Sequence, residues 1–207
     1  DKEKKLLSET RAIWSQAEKS IKPFYTSSFQ SIDKGLKLVP GKTYTVTKLS
    51  QPGRIIGIEI SPSSAFESLF KDLDIKITWD DEKVPAVYCP VADFFGYAFG
   101  QKRMQSLILG ADGRKCYSYI PMPFDKSAII ELVYRASTNS SSKPIDLHLT
   151  VYYTSQKRNP VKEGKLYTHW NSKPKSDAGK PHVFLDHVGK GHLIGTLLQS
   201  QGLLAGM

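Results

Sequence analysis

The sequence predicts an all-β fold, an antiparallel β-sandwich of the jelly-roll type with one amphipathic helix at its N-terminal end. From Lys42 onward, apolar and polar residues alternate with the period of two that is typical of half-buried strands. Gly, Pro, Asp and Ser clusters separate these segments at short intervals, and no alternation of strands with helices is present. This pattern indicates two packed antiparallel sheets.

The first element is an amphipathic helix that ends before Pro23, because a proline disfavours helical backbone in the residue before it. The polar stretch from Thr26 to Lys34 predicts a connecting loop. The apolar residues at helical spacing are Leu6, Ile13, Trp14, Ala17 and Ile21.

About ten or eleven strands follow. Gly110 and Gly113 lie between two of them and predict a hairpin turn. The predicted strands are Thr43–Leu49, Arg54–Ile60, Leu73–Trp79, Ala86–Val91, Met104–Leu109, Lys115–Ile120, Ala128–Tyr134, Ile145–Tyr153, Leu166–Trp170, Val183–Val188 and His192–Leu198.

The chain of 207 residues is basic, with 29 Lys and Arg against 20 Asp and Glu and a net charge of +9. Seven basic and two acidic residues lie between Gln156 and Lys180, in a stretch rich in Pro, Gly, Ser and Asn. That composition is typical of a solvated loop, without helical spacing of the basic residues or an RNA-binding aromatic motif. We therefore expect no nucleic-acid partner. No apolar run approaches the roughly 20 residues of a membrane-spanning helix.

The common cofactor motifs are missing from the sequence: it has no phosphate-binding loop, no dinucleotide fingerprint and no nucleophile elbow. We expect no cofactor. His182, His187 and His192 are spaced by five, which would place neighbours on opposite faces of a strand, so we expect no metal site. Cys89 and Cys116 could form one disulfide or none.

Asp93 is the most informative candidate site residue. It is followed by Phe94 and Phe95 and lies in a segment with four aromatic residues and two glycines, directly after a short strand. Aromatic rings provide flat surfaces for sugar rings, and a carboxylate among them can accept hydrogen bonds from paired hydroxyls. The alternative is an aromatic corner of the core in which Asp93 caps a turn. A second aromatic segment, Cys116–Phe124, predicts a strand that ends in a proline-stiffened loop.

Three segments, in this order, resemble glycoside hydrolase family 172. They are Val91–Gly96, then Cys116–Phe124 with Lys126–Ala128, and then Gly189–Thr196. Gly53–Ile56 and Ile77–Asp80 agree more weakly, and the resemblance extends from about Gly41 to the end of the sequence. This family includes difructose-dianhydride and α-furanoside hydrolases that act on fructofuranosyl or arabinofuranosyl linkages.

The resemblance implies two jelly rolls in one longer chain, assembled as trimers or hexamers, with pockets at subunit contacts. It divides this sequence into a helix and loop (residues 1–35), a jelly-roll sandwich (36–188) and the start of a second jelly roll (189–207). It also implies export to the periplasm or the extracellular space.

The family's retaining mechanism uses two glutamates, one in a Glu-Gly-Asp-Asp segment and one in a Gly-Thr-Glu-Asp segment. This sequence contains neither segment, so the resemblance assigns no catalytic residue to it. The sequence-based hypothesis is the N-terminal jelly-roll part of a furanoside hydrolase, with Asp93, Phe94 and Phe95 binding an oligosaccharide or glycan. It expects the missing half of the polypeptide to supply the glutamates. A non-catalytic carbohydrate-binding or structural sandwich remains the alternative.

Overall fold

The computed structural model describes residues 2–17, 19, 21, 25, 28–67, 71–102, 104–136, 143–173 and 179–200. Two α-helices and twelve strands lie within these ranges, and a short 3-10 helix spans Ser63–Phe66. The helices are α1 (Lys2–Trp14) and α2 (Val91–Phe94). The strands are β1 (Gln30–Leu38), β2 (Lys42–Leu49), β3 (Gly53–Ser61), β4 (Leu73–Trp79), β5 (Val87–Pro90), β6 (Tyr97–Ala98), β7 (Gln101–Lys102), β8 (Leu109–Ala111), β9 (Cys116–Ser118), β10 (Met122–Phe124), β11 (Ala128–Tyr134) and β12 (Ile145–Thr154).

The strands form two antiparallel sheets and a short hairpin of β6 with β7. One sheet has the order β1-β12-β3-β9-β8, with β10 also paired to β3, and the other has the order β2-β11-β4-β5. The chain crosses between the sheets from β1 to β2 and from β3 to β4. It returns so that β11 lies beside β2, and β12 beside β1. This is the jelly-roll connection, and it confirms the predicted fold class.

A continuous hydrophobic core fills the space between the two sheets. In β11, Ala128, Ile130, Leu132 and Tyr134 point inward and are buried. Trp79 stacks on Phe124 with a centroid distance of 6.1 Å. Each buried large apolar side chain contributes about 1.5–3 kcal/mol to folding.

Alternation of apolar and polar residues locates the central strands well. The predicted strands at 73–79 and 128–134 coincide with β4 and β11, and the hairpin predicted near Gly110 joins β8 and β9. Its turn lies slightly later, where Asp112 N donates to Lys115 O. The strand predicted at 104–109 is wrong except at Leu109, because Ser106 N donates to Leu109 O in a local turn.

The predicted loop from Thr26 to Lys34 is wrong for residues 30–34, which belong to β1. This strand pairs with β12 along its whole length, from Gln30 opposite Tyr153 to Leu38 opposite Ile145. It lies at the edge of its sheet, and most of its side chains are exposed. Polar residues suit such a position, so the sequence here lacks the apolar alternation of a central strand. The loop predicted after Ile120 is also wrong in part, because Met122–Phe124 pairs with β3.

The three predicted strands at Leu166–Trp170, Val183–Val188 and His192–Leu198 are wrong. The described residues after β12 contain no strand. Residues 155–173 instead form an irregular segment with one turn, in which Lys162 N and Glu163 N donate to Asn159 O. We call this segment the C-terminal arm. An alternating pattern favours a strand only where a neighbouring strand offers a ladder of hydrogen bonds, and the arm is held chiefly by side chains. The division of the chain into domains after residues 35 and 188 stays a prediction.

Helix α1 ends at Trp14, several residues before the predicted end, and none of its residues is buried. Ile21 is buried separately, in a small cluster with Ile56, Tyr117 and Tyr119 on the outer side of the six-stranded sheet. No helix within the described ranges is long and apolar enough to cross a membrane.

Candidate functional site

The segment around Asp93 forms a tight corner after β5. Pro90 precedes α2, a single helical turn whose four residues are all buried. Gly96 ends this turn with a φ of +84°. A left-handed residue without a Cβ suits this point, because a Cβ on Gly96 would lie 2.6 Å from Cβ of Met104. Local sequence thus fixes the position from which the Asp93 side chain projects.

The two phenylalanines after Asp93 belong to the hydrophobic core. Phe95 is completely buried, and Phe94 is 8% exposed and perpendicular to it at a centroid distance of 5.0 Å. The aromatic core corner that the sequence left open is therefore present. Substrate binding by Phe94 and Phe95 stays a prediction. Asp93 is about as buried as Phe94, at 9% exposed, and is the charged side chain of this segment.

The carboxylate of Asp93 accepts hydrogen bonds from three side chains that come from distant parts of the chain. Lys71 Nζ lies 2.7 Å from Oδ1 and 3.0 Å from Oδ2. Trp170 Nε1 donates to Oδ2 at 2.8 Å, and Gln199 Nε2 donates to Oδ1 at 2.9 Å. Asp93 thus joins the sandwich, the C-terminal arm and the segment of residues 179–200, beyond the local turn-capping role that the sequence suggested.

The Gln199 amide has a partner on each of its edges. Its Nε2 also donates to Tyr97 O at 2.6 Å, and its Oε1 accepts from Lys71 Nζ at 3.3 Å and from Phe99 N at 3.4 Å. Two acceptors therefore face the NH₂ group and two donors face the oxygen, which fixes the orientation of the amide.

Two exposed aromatic residues are joined to this polar centre, Trp170 through its indole N–H to Asp93 and Phe99 through its backbone N–H to Gln199. The side chains of Trp170 and Phe99 are each 43% exposed, while the Asp93 side chain is only 10% exposed. A desolvated carboxylate, an ammonium group and two solvent-facing aromatic rings form a set of groups suited to a sugar: hydroxyls bind the charged groups, and C–H faces contact the rings. We call Lys71, Asp93, Phe99, Trp170 and Gln199 the Asp93 corner.

Sequence reasoning found Asp93, with Phe99 among the four aromatic residues of its segment, and missed Lys71, Trp170 and Gln199. Lys71 and Gln199 carry no local motif, and Trp170 was assigned only to a predicted strand that is not formed. Their common property is a contact with Asp93 across 22, 77 and 106 positions. No pattern within a short window signals such contacts.

The C-terminal arm is attached to the sandwich by a network of ion pairs around Asp80. Asp80 Oδ1 accepts hydrogen bonds from the backbone N–H groups of Asp125, Lys126 and Ser127. Its Oδ2 lies 2.7 Å from Nζ of Lys165, which also contacts Glu82 at 3.0 Å. Burial acts to raise the pKa of Asp80, but Lys165 and the backbone N–H groups outweigh it and hold the pKa below its ordinary value.

Two arginine–carboxylate pairs strengthen the attachment. Arg158 binds both oxygens of Asp125, at 2.9 and 2.7 Å, and Arg54 binds both oxygens of Glu163, at 2.7 and 2.9 Å. The Arg158 hydrogen bonds lower the pKa of Asp125, and the Asn159 N–H together with Arg54 lowers that of Glu163. Part of the basic stretch after Gln156 is therefore used to hold the arm on the sandwich.

Both cysteines are free thiols in the core, so the disulfide that the sequence left open is not formed. Burial raises the pKa of each thiol to about 12, and at Cys89 the charges of Asp93 and Asp74 add to this effect. Both are therefore neutral and unreactive at physiological pH.

His182, His187 and His192 lie in an exposed part of the chain, and His182 contacts Phe184 edge to face at 4.9 Å. Nowhere in the described ranges do three or more His, Cys, Asp or Glu side chains meet in a way that could hold a metal ion.

Comparison with curated proteins found no match. Comparison with protein-family models matches residues 28–147 to the model described as GH172 domain-like. The match begins just before β1, ends within β12 and includes the Asp93 turn. It covers more than half of the chain and the jelly roll from β1 to the first residues of β12, so this jelly roll is a glycoside hydrolase-related module. The chain belongs to the GH172 domain-like family.

Proposed function

We propose that this chain holds the substrate of a retaining glycoside hydrolase that acts on α-furanosides, with fructofuranosyl or arabinofuranosyl linkages. Membership of the GH172 domain-like family supports the reaction class. The observation that carries the substrate-binding role is the Asp93 carboxylate, which is bonded to Lys71 and to the indole N–H of the exposed Trp170.

The two catalytic glutamates come from outside this chain in the proposed mechanism. Retention requires two carboxyl groups about 5–5.5 Å apart, one as nucleophile and one as acid and then base. Carboxylates gather at two places on the described sandwich. Asp80, Glu82 and Asp125 are held by Lys165 and Arg158, and Asp74 and Asp93 are held by Arg135 and Lys71. Carboxylates fixed in ion pairs are poorly suited to attack or to proton transfer. A neighbouring domain or a subunit of a homo-oligomer would supply the free pair.

Calorimetric titration with an arabinofuranosyl trisaccharide and a fructofuranosyl disaccharide tests the binding role. We expect the wild-type chain to bind one of them and Asp93→Asn to bind at least about tenfold more weakly, because a hydrogen bond to a charged group contributes about 1.5–3 kcal/mol. Asp146→Asn, which alters an exposed carboxylate on β12, is the matched control. Equal binding by Asp93→Asn, or absence of binding by both the wild type and Gln199→Ala, would overturn the proposed role.

An assay with an aryl α-furanoside tests the placement of the glutamates. We expect no turnover by this chain alone, and turnover at an enzyme-like rate would refute that placement. A non-catalytic carbohydrate-binding module is the second candidate, favoured by the same ion-paired carboxylates. It predicts sugar binding without hydrolysis in the natural assembly that contains this chain, so activity of that assembly distinguishes the two.

A further inference from the structure

The side chain of Gln199 has the hydrogen-bonding pattern of a sugar diol. Its Nε2 donates to Asp93 Oδ1 and to Tyr97 O, while its Oε1 accepts from Lys71 Nζ and Phe99 N. Two adjacent hydroxyls of a sugar can each donate one bond and accept one, so a vicinal diol can satisfy the same four partners. The amide therefore occupies the place where the proposed function requires a substrate.

The segment that carries Gln199 lies on the surface. Every residue from 179 to 198 is exposed, and Gln199 is half-buried. Trp170 differs, because nearby residues of the C-terminal arm are anchored by Thr168 N to Ala86 O at 2.9 Å and by the ion pair of Lys165 with Asp80. Among these donors to Asp93, Gln199 is thus the one whose described neighbours along the chain are the most exposed, so its displacement uncovers the least buried surface.

We propose that Gln199 is the displaceable member of the Asp93 corner and acts as a plug. It is released when a vicinal diol of a furanose binds to Asp93, Tyr97 O, Lys71 and Phe99 N in its place. Lys71 and Trp170 stay in place and hold the carboxylate. This inference rests on the proposed substrate-binding role and adds a regulatory step to it. Binding of sugar and release of residues 179–200 are then one coupled event.

The coupling has a measurable consequence for affinity. A site that is open for only a fraction of the time binds its ligand more weakly by that fraction. If the plug is closed about nine-tenths of the time, its removal raises the affinity roughly tenfold. We therefore expect Gln199→Ala to bind the arabinofuranosyl trisaccharide about tenfold more tightly than the wild type. Gln156→Ala, which removes an exposed glutamine after β12, should bind like the wild type.

Fluorescence anisotropy provides a second readout of plug release. Cys89 and Cys116 are buried, so a Ser200→Cys variant can be labelled selectively at an exposed position beside Gln199. Saturating trisaccharide should lower the anisotropy of this label as the segment is released. The same label at Ser155, in the anchored arm, should not respond.

The outcomes separate the plug from the proposed function. Tighter binding by Gln199→Ala together with the anisotropy change supports the plug. Binding by the wild type with unchanged or weaker affinity in Gln199→Ala overturns the plug and leaves the substrate-binding role intact. A label that does not respond while sugar binds also overturns it. Absence of binding in the wild type and in Gln199→Ala overturns both.

Discussion

The indole N–H of Trp170 donates to Oδ2 of Asp93 at 2.8 Å, across 77 positions of the chain. This bond brings an exposed aromatic ring from the C-terminal arm to a carboxylate on the one-turn helix α2. It makes the candidate site a composite of two segments, of which only the segment around Asp93 lies within the residues matched to the GH172 domain-like family.

Replacement of Trp170 tests the aromatic side of the site. Trp170→Phe keeps a ring and removes the N–H donor, so we expect it to weaken binding of the arabinofuranosyl trisaccharide a few-fold. Trp170→Ala removes both and should weaken binding roughly tenfold or more. Titration calorimetry measures both effects. Trp14→Phe, on the exposed helix α1, is the control and should bind like the wild type; equal affinities for all three variants would contradict a role for Trp170.

Asp80 is expected to be the most sensitive anchor of the C-terminal arm. Asp80→Ala removes three hydrogen bonds from backbone N–H groups and one of the two close carboxylates that pair with the Lys165 ammonium group. The free energy of unfolding should therefore fall by about 2–4 kcal/mol. Asp80→Asn keeps an acceptor and tolerates the φ of +55°, so it should lose less. Urea unfolding measures the difference. A loss below about 0.5 kcal/mol in Asp80→Ala, the range of ordinary surface substitutions, would show that the anchor is unimportant.

We expect low pH to weaken the ion pairs that attach the C-terminal arm to the sandwich. The pKa values of Asp80, Asp125 and Glu163 are lowered in the folded chain. Carboxyl groups of this kind stabilise the fold above their unfolded pKa of about 4, and this contribution is lost as the pH falls through their folded values. We expect the free energy of unfolding to decrease below about pH 4.

Urea titrations between neutral pH and pH 3 check this dependence. Arg158→Gln removes the partner of Asp125, so it should lower stability at neutral pH and reduce the further loss in acid. A stability that rises on acidification would contradict the assigned pKa directions.

Gly96 is expected to be essential for the backbone turn from which Asp93 projects. In Gly96→Ala, the new Cβ would lie 2.6 Å from Cβ of Met104, in a residue with a φ of +84°. The strained backbone and the clash together should cost about 2 kcal/mol or more. Gly113→Ala is the matched control, because no atom lies within 4 Å of its added Cβ. Thermal unfolding of the two variants measures the loss of stability. Equal stabilities would show that the backbone turn at Gly96 accommodates a side chain.

The sequence predicted the central strands because each buries one face. In β4, Leu73, Ile75, Ile77 and Trp79 all point into the core, and the alternation is therefore visible in the sequence itself. The edge strand β1 buries little and has no such pattern. The opposite error occurred at Leu166–Trp170, where a strand-like pattern has no neighbouring strand to pair with.

The candidate site was predictable only in the segment of Asp93 and Phe99, where glycines and aromatic residues surround a single carboxylate. Lys71, Trp170 and Gln199 reach that carboxylate because the fold brings distant segments together. A sequence window contains no information on such contacts. The same reason explains why the basic stretch after Gln156 resembled a solvated loop: the acidic partners of Arg158 and Lys165 lie in turns far along the chain.

The most direct test of the proposed site follows the indole N–H resonances of the three tryptophans during titration with the arabinofuranosyl trisaccharide. Trp170→Phe identifies the signal of Trp170. We expect this signal to shift with saturation, while those of Trp79, buried and bonded to Leu166 O, and of Trp14, on the exposed helix, stay unchanged. A Trp170 signal that does not move at saturating sugar would contradict substrate binding at the Asp93 corner.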